Sequence, residues 1–155
     1  MPGEGGAILG TLSFVGRSMR KVLLAVSFLA CAIFASAASA GVFVQVSKAR
    51  QTMYVYVDGQ LYYVWPVSTA AWGYNTPEGV FYPISLDANH RSGSYGSPMP
   101  YSIFFIGGYA IHGTYEIDKL GYPASHGCVR LRPDHAGMLF DLVSRSYGTQ
   151  IVVGW

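Results

Sequence analysis

The feature that most limits the fold is an alternation of period two that sets in at residue 41. Val42, Val44 and Val46 fall on one side of an extended chain, followed by Met53, Val55 and Val57, and then by Leu61, Tyr63 and Trp65. Successive side chains of a strand point to opposite faces, so each set marks a strand with one buried face. Asp58-Gly59 separates the second set from the third and suits a two-residue hairpin turn, because both residues tolerate positive φ. The first half therefore reads as a β-meander.

Further on, Thr76-Pro77-Glu78-Gly79 reads as a turn. Residues 80–86 read as one more strand, in which Pro83 marks an edge or a bulge. Residues 87–100 are rich in Gly, Ser, Asn and Pro without period, which predicts a long functional loop or flap. Strands over 101–106 and 109–111 flank a turn at Gly107-Gly108. One helix opens at Pro133 with Asp134 in its first turn. It carries Ala136, Leu139, Phe140 and Val143 at helical spacing and stops at Gly148. A final strand over 149–153 completes a mostly β single domain, with mixed sheets or a β-sandwich and one packed α-helix.

Residues 1–40 follow a different logic. Arg17, Arg20 and Lys21 precede an apolar run from Val22 to Phe34, and small residues end at Ala38-Ser39-Ala40. That order is the pattern of a secretory signal peptide cleaved after Ala40, with Met19 as an alternative start. An uncleaved membrane anchor and lipidation at Cys31 are the competing readings. The small-residue tail favours cleavage, and the apolar run continuing past Cys31 disfavours lipidation. The expected location is outside the cytoplasm, in periplasm or cell wall, with membrane contact only during export.

Of ten Lys and Arg, three lie in the export segment, as does one of eight acids (Glu4), leaving seven of each sign in residues 41–155. A domain of balanced charge lacks the basic excess needed to neutralise phosphates, so nucleic acid is not an expected partner. Removal of Cys31 with the signal leaves Cys128 alone in a compartment where thiols tend to pair. A buried cysteine packing as a small hydrophobe is the simplest explanation. Its neighbours in Ser125-His126-Gly127-Cys128-Val129-Arg130 argue for a nucleophile instead. A thiol with an ordinary pKa near 8.5 is mostly protonated at neutral pH and needs a base. His126, two residues away, and His112, at the end of a strand, are both candidates, and spacing does not choose between them. Gly127 removes bulk beside the cysteine, so the amides of Gly127 and Cys128 are candidate oxyanion donors.

Ile111-His112-Gly113-Thr114, followed by Leu120-Gly121-Tyr122-Pro123-Ala124-Ser125-His126-Gly127-Cys128-Val129-Arg130-Leu131, resembles the signature of the L,D-transpeptidases of the YkuD type. The turn at residues 76–79 extends the resemblance over most of residues 41–155, identifying that stretch as a catalytic domain. The resemblance implies Cys128 as nucleophile, His112 as general base and acid, and the Gly113 carbonyl as the group orienting the imidazole. Ser125 and His126 would support the cysteine loop, Gly127 would help form the oxyanion hole, and Arg130 would bind a substrate carboxylate or brace the loop. Tyr101 is an expected substrate contact. Two departures stand out. The gap between His112 and Ser125 holds twelve residues, short for the family, and Arg130 stands where some members have Asn.

The implied reaction is acyl transfer in peptidoglycan: an acyl-enzyme forms with a tetrapeptide stem and passes to an amine, in wall crosslinking or in anchoring a protein through a lysine. No cofactor or metal is expected. Three rival readings remain: an L,D-carboxypeptidase or amide hydrolase at the same site, a zinc site of Cys128, His126 and His112, and a non-catalytic wall-binding module suggested by Tyr62, Tyr82, Tyr95, Tyr101 and Tyr109. His90 and His135 are expected at the surface, as are the charges of Lys48, Arg50 and Asp141.

Overall fold

The computed structural model describes residues 41–155, so the predicted export segment lies outside the described residues. Nine strands and one helix follow in order: β1 (Gly41–Ser47), β2 (Thr52–Val57), β3 (Gln60–Pro66), β4 (Gly79–Phe81), β5 (Ser85–Arg91), β6 (Pro98–Ile106), β7 (Tyr109–Gly113), a 3-10 turn (Ile117–Lys119), β8 (Val129–Leu131), α1 (Pro133–Arg145) and β9 (Gly148–Gly154). They form two mixed sheets of order β3-β2-β1-β9-β4 and β5-β6-β7-β8.

The meander of β1, β2 and β3 follows from its alternation. Val44, Met53 and Val55 are fully buried, and Asp58 and Gly59 both take positive φ, 53° and 78°, closing the β2–β3 hairpin. The last strand, β9, adds in parallel beside β1, with Val44 opposite Ile151. Side chains from both sheets meet in one core: Val44, Val55 and Ile151 from the first, Ile103, Phe105 and Ile111 from the second. Helix α1 contributes Ala136, Leu139 and Val143 to it.

Four sequence expectations are corrected. Residues 80–86 are not one strand: β4 pairs with β9 in the first sheet, β5 pairs with β6 in the second, and Tyr82-Pro83-Ile84 crosses between them. Proline has no N–H for a ladder, so the crossing falls where pairing is lost anyway. The expected long loop is mostly a hairpin, since β5 runs to Arg91 and β6 starts at Pro98, leaving residues 92–97 as its tip. Helix α1 ends at Arg145, with the Ser146 N–H donating to the Val143 carbonyl, and Gly148 instead opens β9. Lys48 is no surface charge: its side chain is 9% exposed and pairs with Glu78 at 2.8 Å, fastening β1 to the turn before β4.

Candidate active site

The site grows from the parallel pairing of β7 with β8, in which Ile111 lies opposite Val129, His112 opposite Arg130 and Gly113 opposite Leu131. Residues paired across parallel strands share a face. Ile111, Val129 and Leu131 enter the core, which sends His112 and Arg130 to the opposite face. Cys128, immediately before β8, lines the same cavity of about 510 Å³ as these two. That volume is within the range of small-ligand sites.

The loop carrying Cys128 is held by its own backbone and by one hydroxyl. Ser125 is 1% exposed, and its Oγ donates to the Cys128 carbonyl at 2.6 Å and accepts the Gly127 N–H at 3.0 Å. The Ser125 N–H donates to the Thr69 carbonyl and its carbonyl accepts from the Ala71 N–H, both within 2.9 Å, tying the loop to residues 69–71. Gly127 takes φ 134°, and a Cβ there would stand 2.5 Å from Cε1 of Tyr109 and 2.9 Å from the Asn75 carbonyl oxygen. Glycine is therefore required by backbone conformation and by space.

His112 Nδ1 lies 2.8 Å from the Gly113 carbonyl oxygen. A carbonyl only accepts, so Nδ1 carries the proton and Nε2 keeps its lone pair. Burial brings the imidazole pKa down to about 4, against the raising effect of that hydrogen bond, with nearby positive charge at Arg130 lowering it further. Burial also pushes the Cys128 thiol up, opposed by the Ala110 N–H and by Arg130. As a donor the thiol faces the distant Gly108 carbonyl oxygen, at 3.9 Å. At neutral pH the two groups therefore rest as thiol and neutral imidazole, and no ion pair is preformed.

Most of the residues singled out in the sequence converge here. Cys128, His112, Ser125, His126 and Arg130 line the cavity, the Gly113 carbonyl accepts from His112, and the Gly127 N–H, expected to face an oxyanion, donates to Ser125 Oγ instead. Tyr101 is a correction. It takes φ 58°, and its ring lies over Gly137 and against Phe140 of α1, with centroids 5.9 Å apart, so it packs on the helix and does not line the cavity. Tyr95, at the β5–β6 tip, is the tyrosine that does. It stacks on His126 with centroids 4.4 Å apart, and Tyr74 tilts against the same imidazole at 4.5 Å. His126 thus joins the hairpin tip to the cysteine loop.

Sequence reasoning missed Glu116, which also lines the cavity. Its Oε2 accepts from Arg130 Nη1 at 2.8 Å, and Lys119 holds Oε1. No local pattern marks it, because Glu116 lies in the loop after β7 and Arg130 is fourteen residues away on β8. His90 and His135 lie outside the cavity and are half-exposed: His90 sits on β5, not in a loop, beside Asp87 at 3.0 Å and edge-on to Phe104, and the His135 ring stacks on buried Trp65 at 4.8 Å. Among the described residues, no three His, Cys, Asp or Glu side chains are grouped so as to hold a metal ion.

The fold and cavity together define a mostly β domain that presents a lone cysteine and a tautomer-fixed histidine from adjacent parallel strands. The chain belongs to the L,D-transpeptidase catalytic domain family of the YkuD type, whose model matches residues 41–153. Solved structures agree. An L,D-transpeptidase from Mycobacterium smegmatis is 25% identical with a TM-score of 0.70, covering 75% of this chain and 59% of its own. One from Stackebrandtia nassauensis is 26% identical with a TM-score of 0.67, covering 79% and 62%. L,D-transpeptidase 3 from Mycobacterium tuberculosis, solved with a faropenem-derived adduct, is 21% identical with a TM-score of 0.66, covering 74% and 60%. The chain thus spans about six-tenths of the length of these relatives. No curated protein matches it.

Proposed function

We propose that this protein is a peptidoglycan L,D-transpeptidase in which Cys128 is the nucleophile and His112 the general base and acid. The observation that carries the reading is the shared cavity of Cys128 and His112, with the imidazole fixed through Gly113 so that Nε2 accepts. A backbone carbonyl thereby fills the orienting role that a carboxylate has in other triads.

In the first half-reaction Cys128 Sγ attacks the carbonyl carbon of the diamino acid in a stem tetrapeptide, and His112 Nε2 takes the thiol proton as the bond forms. Attack and proton transfer are coupled, because the resting pair is neutral. The tetrahedral oxyanion is met by the Cys128 N–H, since the Gly127 N–H already serves Ser125. Collapse breaks the carbon–nitrogen bond, and His112 returns its proton to the departing D-amino acid, leaving a thioester. An amine then attacks, His112 takes its proton, and the thiol is regenerated. The amine belongs to a second stem or to a protein lysine; water in its place makes the same site a carboxypeptidase.

Export follows from the reading of residues 1–40. Cleavage after Ala40 would free the Gly41 amine, whose nitrogen lies 3.1 Å from Asp58 Oδ1, so the new ammonium would gain a carboxylate partner. N-terminal sequencing of the secreted protein tests this, with Gly41 as the expected first residue.

The function is tested by incubating the purified protein with defined tetrapeptide muropeptides and weighing the products. A crosslinked dimer is expected, absent with Cys128→Ala. Tripeptide monomers alone would assign a carboxypeptidase. No product, together with no faropenem adduct on Cys128, would overturn the enzyme reading.

A further inference from the structure

Between β3 and β4 the chain runs through residues 67–78, and its middle, Ala71-Trp72-Gly73-Tyr74, closes a tight turn. The Tyr74 N–H donates to the Ala71 carbonyl at 3.0 Å, and Gly73 takes φ 86°. Positive φ at the third position of a turn is open to glycine without strain. Both ends of the turn are fastened. The hydroxyl of buried Thr76 accepts the Ala70 N–H at 2.9 Å, and the Ala71 N–H donates to the Ser125 carbonyl at 2.8 Å. Trp72, at the tip, is 99% exposed. A side chain with two rotatable bonds, on a backbone so fastened, loses little freedom when it meets a ligand.

The same segment flanks the nucleophile. The Tyr74 ring lies against His126, with centroids 4.5 Å apart, and His126 lines the cavity of Cys128. The Asn75 carbonyl oxygen stands 2.9 Å from the place a Cβ would take on Gly127. From Asn75 to Trp72 the chain spans at most about 10 Å. In a tetrapeptide stem attacked at its third residue, the same length of about 10 Å separates the reacting carbonyl from the sugar that carries the stem. The chemistry of the tip fits that sugar. Residues 67–77 hold no charged side chain, so the segment offers no charge of its own to an ionic partner. An aromatic face standing in water is matched by the flat C–H face of a pyranose, whose hydroxyls stay hydrated at its edge.

We propose that Trp72, with Tyr74 beside it, is a saccharide subsite that holds the sugar bearing the donor stem and makes a glycan-linked stem a better donor than the free peptide. This rests on the acyl-transfer reading above and deepens it by naming the donor's class. Trp72 and Tyr74 are not among the walls of the cavity, so the subsite adds affinity without entering the chemistry at Cys128.

The experiment compares two donors of one peptide sequence: a tetrapeptide on its disaccharide, and the free tetrapeptide acetylated at its amino end to match the charge. Glycine in excess serves as acceptor, so the donor holds the only sugar. Steady-state release of the terminal residue is followed for wild type, Trp72→Ala and Trp72→Phe. Wild type should favour the disaccharide-linked donor by about 2- to 10-fold in kcat/KM, the value of one aromatic contact, and through KM. Trp72→Ala should bring the two donors to parity, and Trp72→Phe, which keeps a ring, should retain the preference. A wild type indifferent to the sugar would overturn the proposal, as would equal loss on both donors in Trp72→Ala, the mark of a structural role. Equal turnover of both donors leaves acyl transfer standing while this subsite falls.

Binding is also read without turnover. The three tryptophans give three indole N–H resonances, and the one missing from Trp72→Phe is that of Trp72. Titration of the purified protein with the stem-free disaccharide should shift that resonance alone. A resonance that stays fixed, or that moves only with the free tetrapeptide, gives the tip to another ligand and overturns the proposal, and neither result touches the acyl-transfer reading.

Discussion

Burial acts on Cys128 and His112 in the directions that keep both uncharged, raising the thiol and lowering the imidazole. Alkylation of Cys128 by iodoacetamide should therefore accelerate only above the ordinary thiol range, with no reactive plateau between pH 5 and about 8, such as a preformed ion pair would give. A plateau there would overturn the neutral resting state. For stability, the unfolded chain takes a proton on His112 near the ordinary 6.5, whereas the folded chain resists until about 4. Stability from this residue is full above 6.5, falls as pH drops through that window, and levels below 4. The loss is about 3 kcal/mol. Urea denaturation at pH 7 and pH 4 should show His112→Gln losing less on acidification than wild type by that amount. Gly127→Ala should fail for steric reasons, since its Cβ would lie 2.5 Å from the Tyr109 ring. We expect about 1–3 kcal/mol lost and acyl transfer below detection, measured by thermal melting and by muropeptide turnover.

Among the elements, the β5–β6 hairpin and α1 test different things. The tip of the hairpin is ordered by its own backbone, with the Gly96 N–H donating to the Ser92 carbonyl at 2.8 Å and the Tyr95 N–H to Ser92 Oγ at 3.1 Å. Tyr95 reaches His126 from there, so Tyr95→Ala should leave the melting temperature near wild type and raise KM by about 2- to 10-fold, the value of one aromatic contact. A variant that instead unfolds would show the tip to be structural. Leu139 of α1 is fully buried, and Leu139→Ala should cost about 2–5 kcal/mol in urea denaturation. Helix and strand faces were legible in the sequence because apolar spacing records burial. The division of residues 80–86 between two sheets was not, because β4 and β5 have no distinguishing pattern and their partners, β9 and β6, lie elsewhere in the chain.

Among the described residues, one core serves both sheets. Neither sheet keeps a buried face without the other, so unfolding should be a single transition, with fluorescence and far-UV circular dichroism giving coincident urea curves. Trp65, 6% exposed and stacked between Tyr63 and His135, supplies the fluorescence change, while Trp72 is 99% exposed. Non-coincident curves would mean that the sheets part separately.

By itself the sequence determined the inward faces of β1, β2 and the helix, where the β2–β3 turn and the helix begin, and that a lone cysteine follows His126-Gly127. These are local properties, written in spacings of two, three and four residues and in the φ each residue tolerates. Leu61, expected on the buried face of β3, is instead 51% exposed, beyond a register shift in the β2–β3 pairing. Tertiary structure decided what local spacing leaves open: that β9 pairs with β1, that Tyr101 turns to the helix while Tyr95 meets the cysteine loop, and that Glu116 holds Arg130. Periodicity specifies the face on which a side chain lies and is silent about the partner opposite, because that partner is chosen by packing between segments far apart in the chain.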